Sequence, residues 1–496
     1  MAKKEEKTDN SNSNNDNNNE EPKKAEVKET PPVETQHKIK LGKKTLNYKA
    51  TTGMMPLKDK ESGDIKANVY FTAYTVDGIK NPAKRPLTFV FNGGPGSASV
   101  WLHLGALGPK RVKMQAEGWM PAPPYQLVDN EYTWLDLTDL VFIDPVGTGY
   151  SRAIDSEDSK EYWTLDGDIK SVAEVIRLYL TRYERWSSPL FLSGESYGTT
   201  RSAGLSGHLI DMGIGLNGIV LISTILNFQT LRFERGNDLP FILYVPTYAA
   251  TAWYHGKLSK DLQEKPVADL IAEVEAWALG DYSAALMQGD SLSEEDRAAV
   301  VETLSRYTGL DSKFVKNSNL RIHIMHFCKE LLRDQHHTVG RLDSRFKGLD
   351  AQDVGEIFDF DPAMVAITPP FTAMMNDYAR RELGYETDTT YETLSYDVFK
   401  GWEWDKGKFP DTSEALRTAF AKNPFMKVMV AQGYYDLATP HFAAEYTFNH
   451  MDIHPDVRDN FHFTYYEAGH MMYLHLPSLK QLKSDVVAFM KDALNK

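Results

Sequence analysis

Three polar residues in this sequence sit where apolar, strand-like runs give out: Ser196, Asp436 and His470. A serine hydroxyl attacks a carbonyl only when a base takes its proton, and the base needs an acid to orient it. Ser196 lies in "PLFLSGESYGTTRSAG", inside Gly194-Glu195-Ser196-Tyr197-Gly198, a G-x-S-x-G spacing. The run before it is apolar, and Thr199, Thr200, Ser202, Ala203 and Gly204 after it are small. That pattern predicts strand, tight turn and helix, with the serine presented at the helix N-terminus. Asp436 lies in "VMVAQGYYDLATP" and His470 in "FTYYEAGHMMYLHLP", each just past a strand-like run. Serine, then acid, then histidine is the chain order in which such an elbow finds its partners.

The chain has 14 histidines, so the choice of His470 needs an argument. His470 follows a strand and a glycine. His475 is a rival but falls in the helical stretch beyond. His336 and His337 read as surface residues, and His323 and His326 lack the H-E-x-x-H context of a metal pair. Cys328, the only cysteine, sits in the helix-like "IHIMHFCKELL" and reads as a buried structural thiol. An oxyanion needs backbone donors. The Tyr197 amide is one, and the glycine turn "FVFNGGPGSAS", with Asn92, Gly93, Gly94, Pro95 and Gly96, supplies the other. A phosphate loop is excluded there, because no G-K-[ST] follows and Pro95 removes a donor. Glu195 is the odd residue. A carboxylate beside a nucleophile opposes the charge that forms in acyl transfer.

These residues need a frame. "PLTFVFNGGPG", "DLVFIDPVGTG", "PLFLSGESYG", "GIVLIST" and "KVMVAQGYYD" are short apolar runs ending in turns, and "DGDIKSVAEVIRLYLTRYERW" between them has helical spacing. The alternation predicts an α/β fold on a mainly parallel sheet, doubly wound or mixed. Residues 1–38 are polar and low in complexity, which predicts a disordered tail. Residues 39–227 form the first part of the core, opening with antiparallel strands in which "VDG" reads as a hairpin turn. Residues 228–415 are rich in helical patterns and read as a mainly helical insertion. Residues 416–496 return to the sheet pattern.

Bulk properties narrow the function classes. The formal net charge of −14 argues against nucleic acid as a partner. No apolar run reaches the length of a membrane span. The N-terminus shows no signal peptide, which together with the single cysteine favours a cytoplasmic location. Secretion or envelope association would follow if a signal had been removed.

The blocks "NGGPGSAS", "GALGPKRV", "VFIDPVGTGYS", "SGESYG", "AQGYYDLATP" and "EAGHMMYLHLP" together resemble the serine carboxypeptidases, the S10 family of α/β-hydrolases. Its overall style, lacking disulfides, looks like the bacterial branch. The resemblance implies an α/β-hydrolase fold with a mixed, mostly parallel sheet and a cap. It implies release of C-terminal residues from peptides through an acyl-enzyme, with Ser196, Asp436 and His470 as the triad, the Gly94 and Tyr197 amides holding the oxyanion, and no metal or other cofactor. Peptides are the implied partners; whether the chain works as a homodimer is left open. It also gives Glu195 a role: with the Asn92 side chain and the Gly93 amide it would bind the substrate's terminal carboxylate, two carboxyl groups sharing a proton. Peptide binding should then improve in mild acid. Three positions depart from the family pattern. Val90 stands in place of a tryptophan, which removes an expected aromatic wall. Ala106 stands in place of the glutamate that pairs with the residue at Glu195, and Ser97 in place of a cysteine. The Ala106 departure keeps acyl transfer or ester hydrolysis on the same triad as the alternative.

Overall fold

The computed structural model describes residues 29–494. Strands β1 (Val33–Leu41), β2 (Lys44–Lys58) and β3 (Ile65–Val76) run antiparallel, with Val33 opposite Thr52 and Tyr48 opposite Val76. β4 (Leu87–Phe91) enters the centre of the sheet, while β5 (Lys110–Val112) and β6 (Leu127–Asp129) form a separate ribbon. β7 (Asp139–Ile143), β8 (Arg152–Ala153), β9 (Leu190–Glu195) and β10 (Gly218–Ile222) follow. A second ribbon, β11 (Thr338–Val339) with β12 (Lys347–Gly348), lies far along the chain. β13 (Lys427–Gly433) and β14 (Phe461–Tyr466) complete the main sheet. Its order is β1-β2-β3-β7-β4-β9-β10-β13-β14, with β8 beside β3. From β7 through β14 every neighbouring pair is parallel. This is the mixed, mostly parallel sheet of an α/β-hydrolase.

β4, β7, β9, β10 and β13 are buried along their whole length. They read as unbroken apolar runs because helices cover both faces of the sheet. Phe89 joins one core with Leu192, Leu209, Leu221 and Val430. Its neighbour Val90 joins the opposite core with Val220, Met429, Phe371 and Phe489, as the two-residue period of a strand requires. Helices Leu165–Arg182 and Tyr197–Asp211 bring buried residues to the first core, and Pro362–Arg381 and Leu476–Leu494 to the second. The Thr164 hydroxyl caps the first of these helices by accepting from Gly167 N at 2.9 Å.

Helices Val245–Tyr254, Val267–Trp277, Glu294–Thr308 and Ile324–Glu330 build a third core of their own, with Tyr248, Leu270, Leu304 and Phe327 in it. Cys328 is fully buried there, and burial pushes its thiol well up. Leu437, from the loop after β13, joins this cluster and ties it to the sheet. Residues 362–383, by contrast, pack into a core of the sheet itself. Among the described residues no helix is long and apolar enough to cross a membrane.

Two expectations need correction. The tail does not extend to residue 38: β1 begins at Val33 and pairs with β2, and residues 1–28 of the expected tail lie outside the described residues. "VDG" is not a hairpin turn. It ends β3, whose second neighbour is β7, while β4 lies between β7 and β9.

Candidate active site

Ser196 is the single residue between β9 and the helix Tyr197–Asp211, and it stands at φ 58, ψ −129. A non-glycine residue rarely holds positive φ unless its surroundings fix it. Here Ser196 N donates to Ile222 O at 3.0 Å, and Thr199 N donates to Ser196 O at 2.8 Å. The flanking glycines are a steric requirement. A Cβ on Gly194 would lie 2.2 Å from Gly198 O, and one on Gly198 would lie 2.8 Å from Phe91 O.

The loop Asn92-Gly93-Gly94 leaves β4, the neighbour of β9, so sheet order brings it to the nucleophile. The two segments touch: a Cβ on Gly93 would sit 2.4 Å from Tyr197 N. Gly94 has φ 107, which favours glycine. The Gly94 and Tyr197 amides have no backbone acceptor among the described residues. Arg201, one turn along the helix from Ser196, locks the loop in place. Its Nη1 donates to Asn92 O at 2.7 Å, and its Nε donates to Asp168 at 2.8 Å, all within the core. Tyr197 Oη donates to the same carboxylate at 3.1 Å.

His470 Nδ1 lies 2.8 Å from Asp436 Oδ2 and 3.2 Å from Thr439 Oγ1. Asp436 is fully buried and accepts from Ala438 N, Thr439 N and Thr439 Oγ1 at 2.8, 3.0 and 2.7 Å. Burial pulls the His470 pKa down, but the Asp436 charge and hydrogen bond raise it to a net value above the ordinary one. The segment 341–346 holds both loops. Leu437 N donates to Arg341 O at 3.1 Å, Ser344 N to Tyr435 O at 2.9 Å and His470 N to Leu342 O at 2.7 Å. Asp343 accepts from Gly469 N at 3.1 Å while paired at 2.7 Å with the buried Arg345. A Cβ on Gly469 would lie 2.4 Å from the Asp343 side chain.

Glu195 is 3 % exposed. Desolvation pushes its pKa up to about 7, against the pull of His470 and of Tyr473. Tyr473 Oη donates to Glu195 Oε2 at 2.6 Å. Ala106 therefore does not leave Glu195 without a partner. A Cβ on Gly105 would be 2.5 Å from the Tyr473 ring, so Gly105 opens the space that the tyrosine fills. Asn92 Oδ1 accepts from Leu102 N at 3.0 Å, while its Nδ2 is buried without a hydrogen bond. The amide is near enough to Glu195 to exert a small downward pull on its pKa, the weakest of the pulls on that group. The expected loss of an aromatic wall is also corrected. Trp101 lines the same cavity, its Nε1 donating to Ser97 Oγ at 2.7 Å.

Two cavities meet at Ser196. The smaller, of 160 Å³, is lined by Asn92, Gly93, Glu195 and His470 and walled by apolar residues such as Met364 and Ile367. The larger, of 670 Å³, has Phe228, Trp402 and Trp404 in its wall. Gly94, Ser196, Arg341 and Leu342 line both. The residues read from sequence thus converge: Ser196, His470, Asn92, Gly93, Gly94 and Glu195 share one cavity, Tyr197 faces the other, and Asp436 stands behind His470. The His470 ring bonds Asp436 and Thr439 through Nδ1 and makes no hydrogen bond to the Ser196 hydroxyl; bonds between nucleophile and base commonly tighten when substrate binds. His475 bonds Ser478 at 2.8 Å and lines neither cavity. His323 caps the helix Ile324–Glu330, accepting from Met325 N at 3.1 Å. Tyr473, Arg201, Thr439 and Arg341 were not assigned roles from sequence, though the blocks around His470 and Asp436 and the segment "GRLDSRFKG" contain three of them.

Comparison with known proteins places this geometry. A family model described as serine carboxypeptidase matches residues 42–474. Serine carboxypeptidase-like 20 of Arabidopsis thaliana is 32 % identical over 144 residues, 28 % of this chain and 26 % of that protein. Pheromone-processing carboxypeptidase KEX1 of Saccharomyces cerevisiae is 30 % identical over 157 residues, 29 % of this chain and 20 % of that protein. These alignments span less than half the length of the curated relatives. The crystal structure of yeast KEX1(delta)p, a prohormone-processing carboxypeptidase, superposes with a TM-score of 0.57 at 15 % identity, over 90 % of this chain and 91 % of that one. It carries the likeness of fold.

Proposed function

The chain belongs to the serine carboxypeptidase family, and from that membership and the geometry at Ser196 we propose that it releases single C-terminal residues from peptides through an acyl-enzyme. Ser196 Oγ attacks the carbonyl carbon of the last peptide bond, and its proton passes to His470 Nε2. Asp436 holds the imidazole by Nδ1 in the tautomer that leaves Nε2 free, and stabilises the imidazolium that forms. The Gly94 and Tyr197 amides receive the developing oxyanion. His470 then protonates the leaving amine, and water repeats the sequence on the acyl-enzyme.

The terminal carboxylate of the substrate takes its place beside Glu195. Below about pH 7 Glu195 is protonated and donates. Asn92 Nδ2 and Gly93 N are the further donors. The observation that carries this reading is the buried, unpartnered Asn92 Nδ2 in the small cavity that also holds Glu195 and Ser196. A buried donor without an acceptor is costly, and a carboxylate arriving there removes the cost. Acyl transfer or ester hydrolysis would share the first half of this reaction. The Tyr473 bond to Glu195 weakens that alternative, because it gives Glu195 a partner despite Ala106.

The test compares one peptide as free acid and as C-terminal amide, with Ser196→Ala as the blank. Mass spectrometry should show loss of one residue from the free acid and little from the amide. Equal cleavage of both would remove carboxylate recognition. Cleavage of an ester alone would move the assignment to the alternative.

A further inference from the structure

Arg341 is set in place by its backbone, yet its guanidinium is uncommitted. Its N donates to Asp361 Oδ1 at 3.3 Å and its O accepts from Leu437 N at 3.1 Å. Among the described residues the side chain makes no hydrogen bond or ion pair. Other arginines near the site are satisfied: Arg201 by Asp168 and Asn92 O, Arg345 by Asp343. A half-buried guanidinium without a counter-charge has a desolvation cost that an arriving anion would offset.

Its location selects the anion. Arg341 lines both cavities, and so does the nucleophile Ser196. The smaller cavity already holds Glu195 and would receive the terminal carboxylate. A third carboxyl group there would be repelled. The larger cavity has the opposite balance: Arg341 and Arg232 line it against the exposed Glu234. Arg232 lies over the Trp404 ring, 6.0 Å from its centroid. The two cavities share Ser196, so with the terminal carboxylate in the Glu195 pocket the acyl side of the substrate is left the larger one.

We propose that Arg341 binds the carboxylate of an acidic side chain on the penultimate residue of the substrate, the residue that becomes the acyl group, so that the enzyme prefers peptides ending in Asp-X or Glu-X. This rests on the carboxypeptidase reading and names its substrate class. The preference comes from a charge-assisted contact in a partly dry site, and is set by side-chain charge rather than by size.

The test uses three peptides identical except at the penultimate position, which is Glu, Gln or Lys, with kcat/KM measured for wild type, Arg341→Gln, Arg341→Lys and Arg341→Glu. Wild type should favour Glu over Gln by about tenfold or more, the usual discrimination from a hydrogen bond to a charged group. Arg341→Gln should bring that ratio near one, Arg341→Lys should keep most of it, and Arg341→Glu should favour the Lys peptide. Ratios are read within each variant, so a general loss of turnover does not blur the result. Release of the last residue from all three peptides at equal rates by wild type would overturn the role of Arg341 and leave the carboxypeptidase reading standing. A Glu preference that survives Arg341→Gln would overturn it too. No release from any peptide by wild type would overturn the carboxypeptidase reading, and this inference with it.

Discussion

Tyr473 donates to Glu195 at 2.6 Å from a turn just past His470, so the loop that carries the base also sets the acidity of the residue beside the nucleophile. Burial raises the Glu195 pKa and the tyrosine pulls it partly back. With Tyr473→Phe that pull is gone, and Glu195 should stay protonated to higher pH. KM for a free-acid peptide, followed from about pH 5 to 9, should begin its rise at higher pH than in wild type. Gly105→Ala should act in the same direction, because its Cβ would lie 2.5 Å from the tyrosine ring and displace it. An unmoved inflection in both variants would separate Glu195 from carboxylate binding.

Glu195→Gln keeps a donor but cannot titrate. KM for the free acid should lose its rise above about pH 7, the value to which burial lifts Glu195. Stability gives an independent reading. The folded pKa lies above the ordinary 4.5, so the folded state holds the proton more tightly and loses stability as pH rises from 4.5 to about 7. The penalty is absent below 4.5 and complete above about 7, on the order of 3 kcal/mol. Urea unfolding should therefore show Glu195→Gln gaining on wild type across that window. Parallel stability profiles would contradict the assignment.

Asp436→Asn should lower kcat by about four orders of magnitude, through loss of the imidazolium's counter-charge and of the correct tautomer. The acid limb should move as well. His470 must be neutral to act, and Asp436 is what raises its pKa against the pull of burial. Without that charge the limb of kcat/KM shifts to lower pH while the plateau falls. A limb that stayed in place would assign it to another group.

Asp343→Ala removes the buried partner of Arg345 and the acceptor of Gly469 N, leaving Arg345 only the longer 3.7 Å pair with the exposed Glu117. Breaking a buried ion pair by removing one partner typically costs about 3–5 kcal/mol, and the remaining Glu117 should hold the loss to the lower part of that range, which denaturation would read directly. Under conditions where the variant remains folded, kcat should fall more than KM changes, because the residue touches the base loop and not the substrate. A fall confined to KM would instead place Asp343 in substrate binding.

The triad was legible because each member ends an apolar run, and runs of that kind are scarce enough to order. Ser196 needed only local spacing: its glycines are fixed by contacts of under 3 Å within the turn and with Phe91. What the sequence hid was tertiary substitution. Val90 and Ala106 look like losses, but Trp101 reaches the small cavity from the next turn, and Tyr473 fills the room made by Gly105. Neither replacement is adjacent in sequence to the position it serves. Arg341 was hidden for the same reason, since only the folded chain brings it into the cavity that Ser196 lines. Residues 33–38 read as tail because β1 is an edge strand with exposed alternate positions, and polar alternation there resembles unstructured sequence. "VDG" misled because a turn signal cannot say which strand will claim the next place in the sheet.

The segment 341–346 binds the Asp436 loop and the His470 loop to one another, and it also lines the substrate cavities. Selectivity and turnover are therefore inherited together in this chain. Grafting this stretch from a homologue to change which peptides are accepted would also re-set the seating of acid and base, whereas single side-chain exchanges at Arg341 leave the stitching amides and carbonyls where they are.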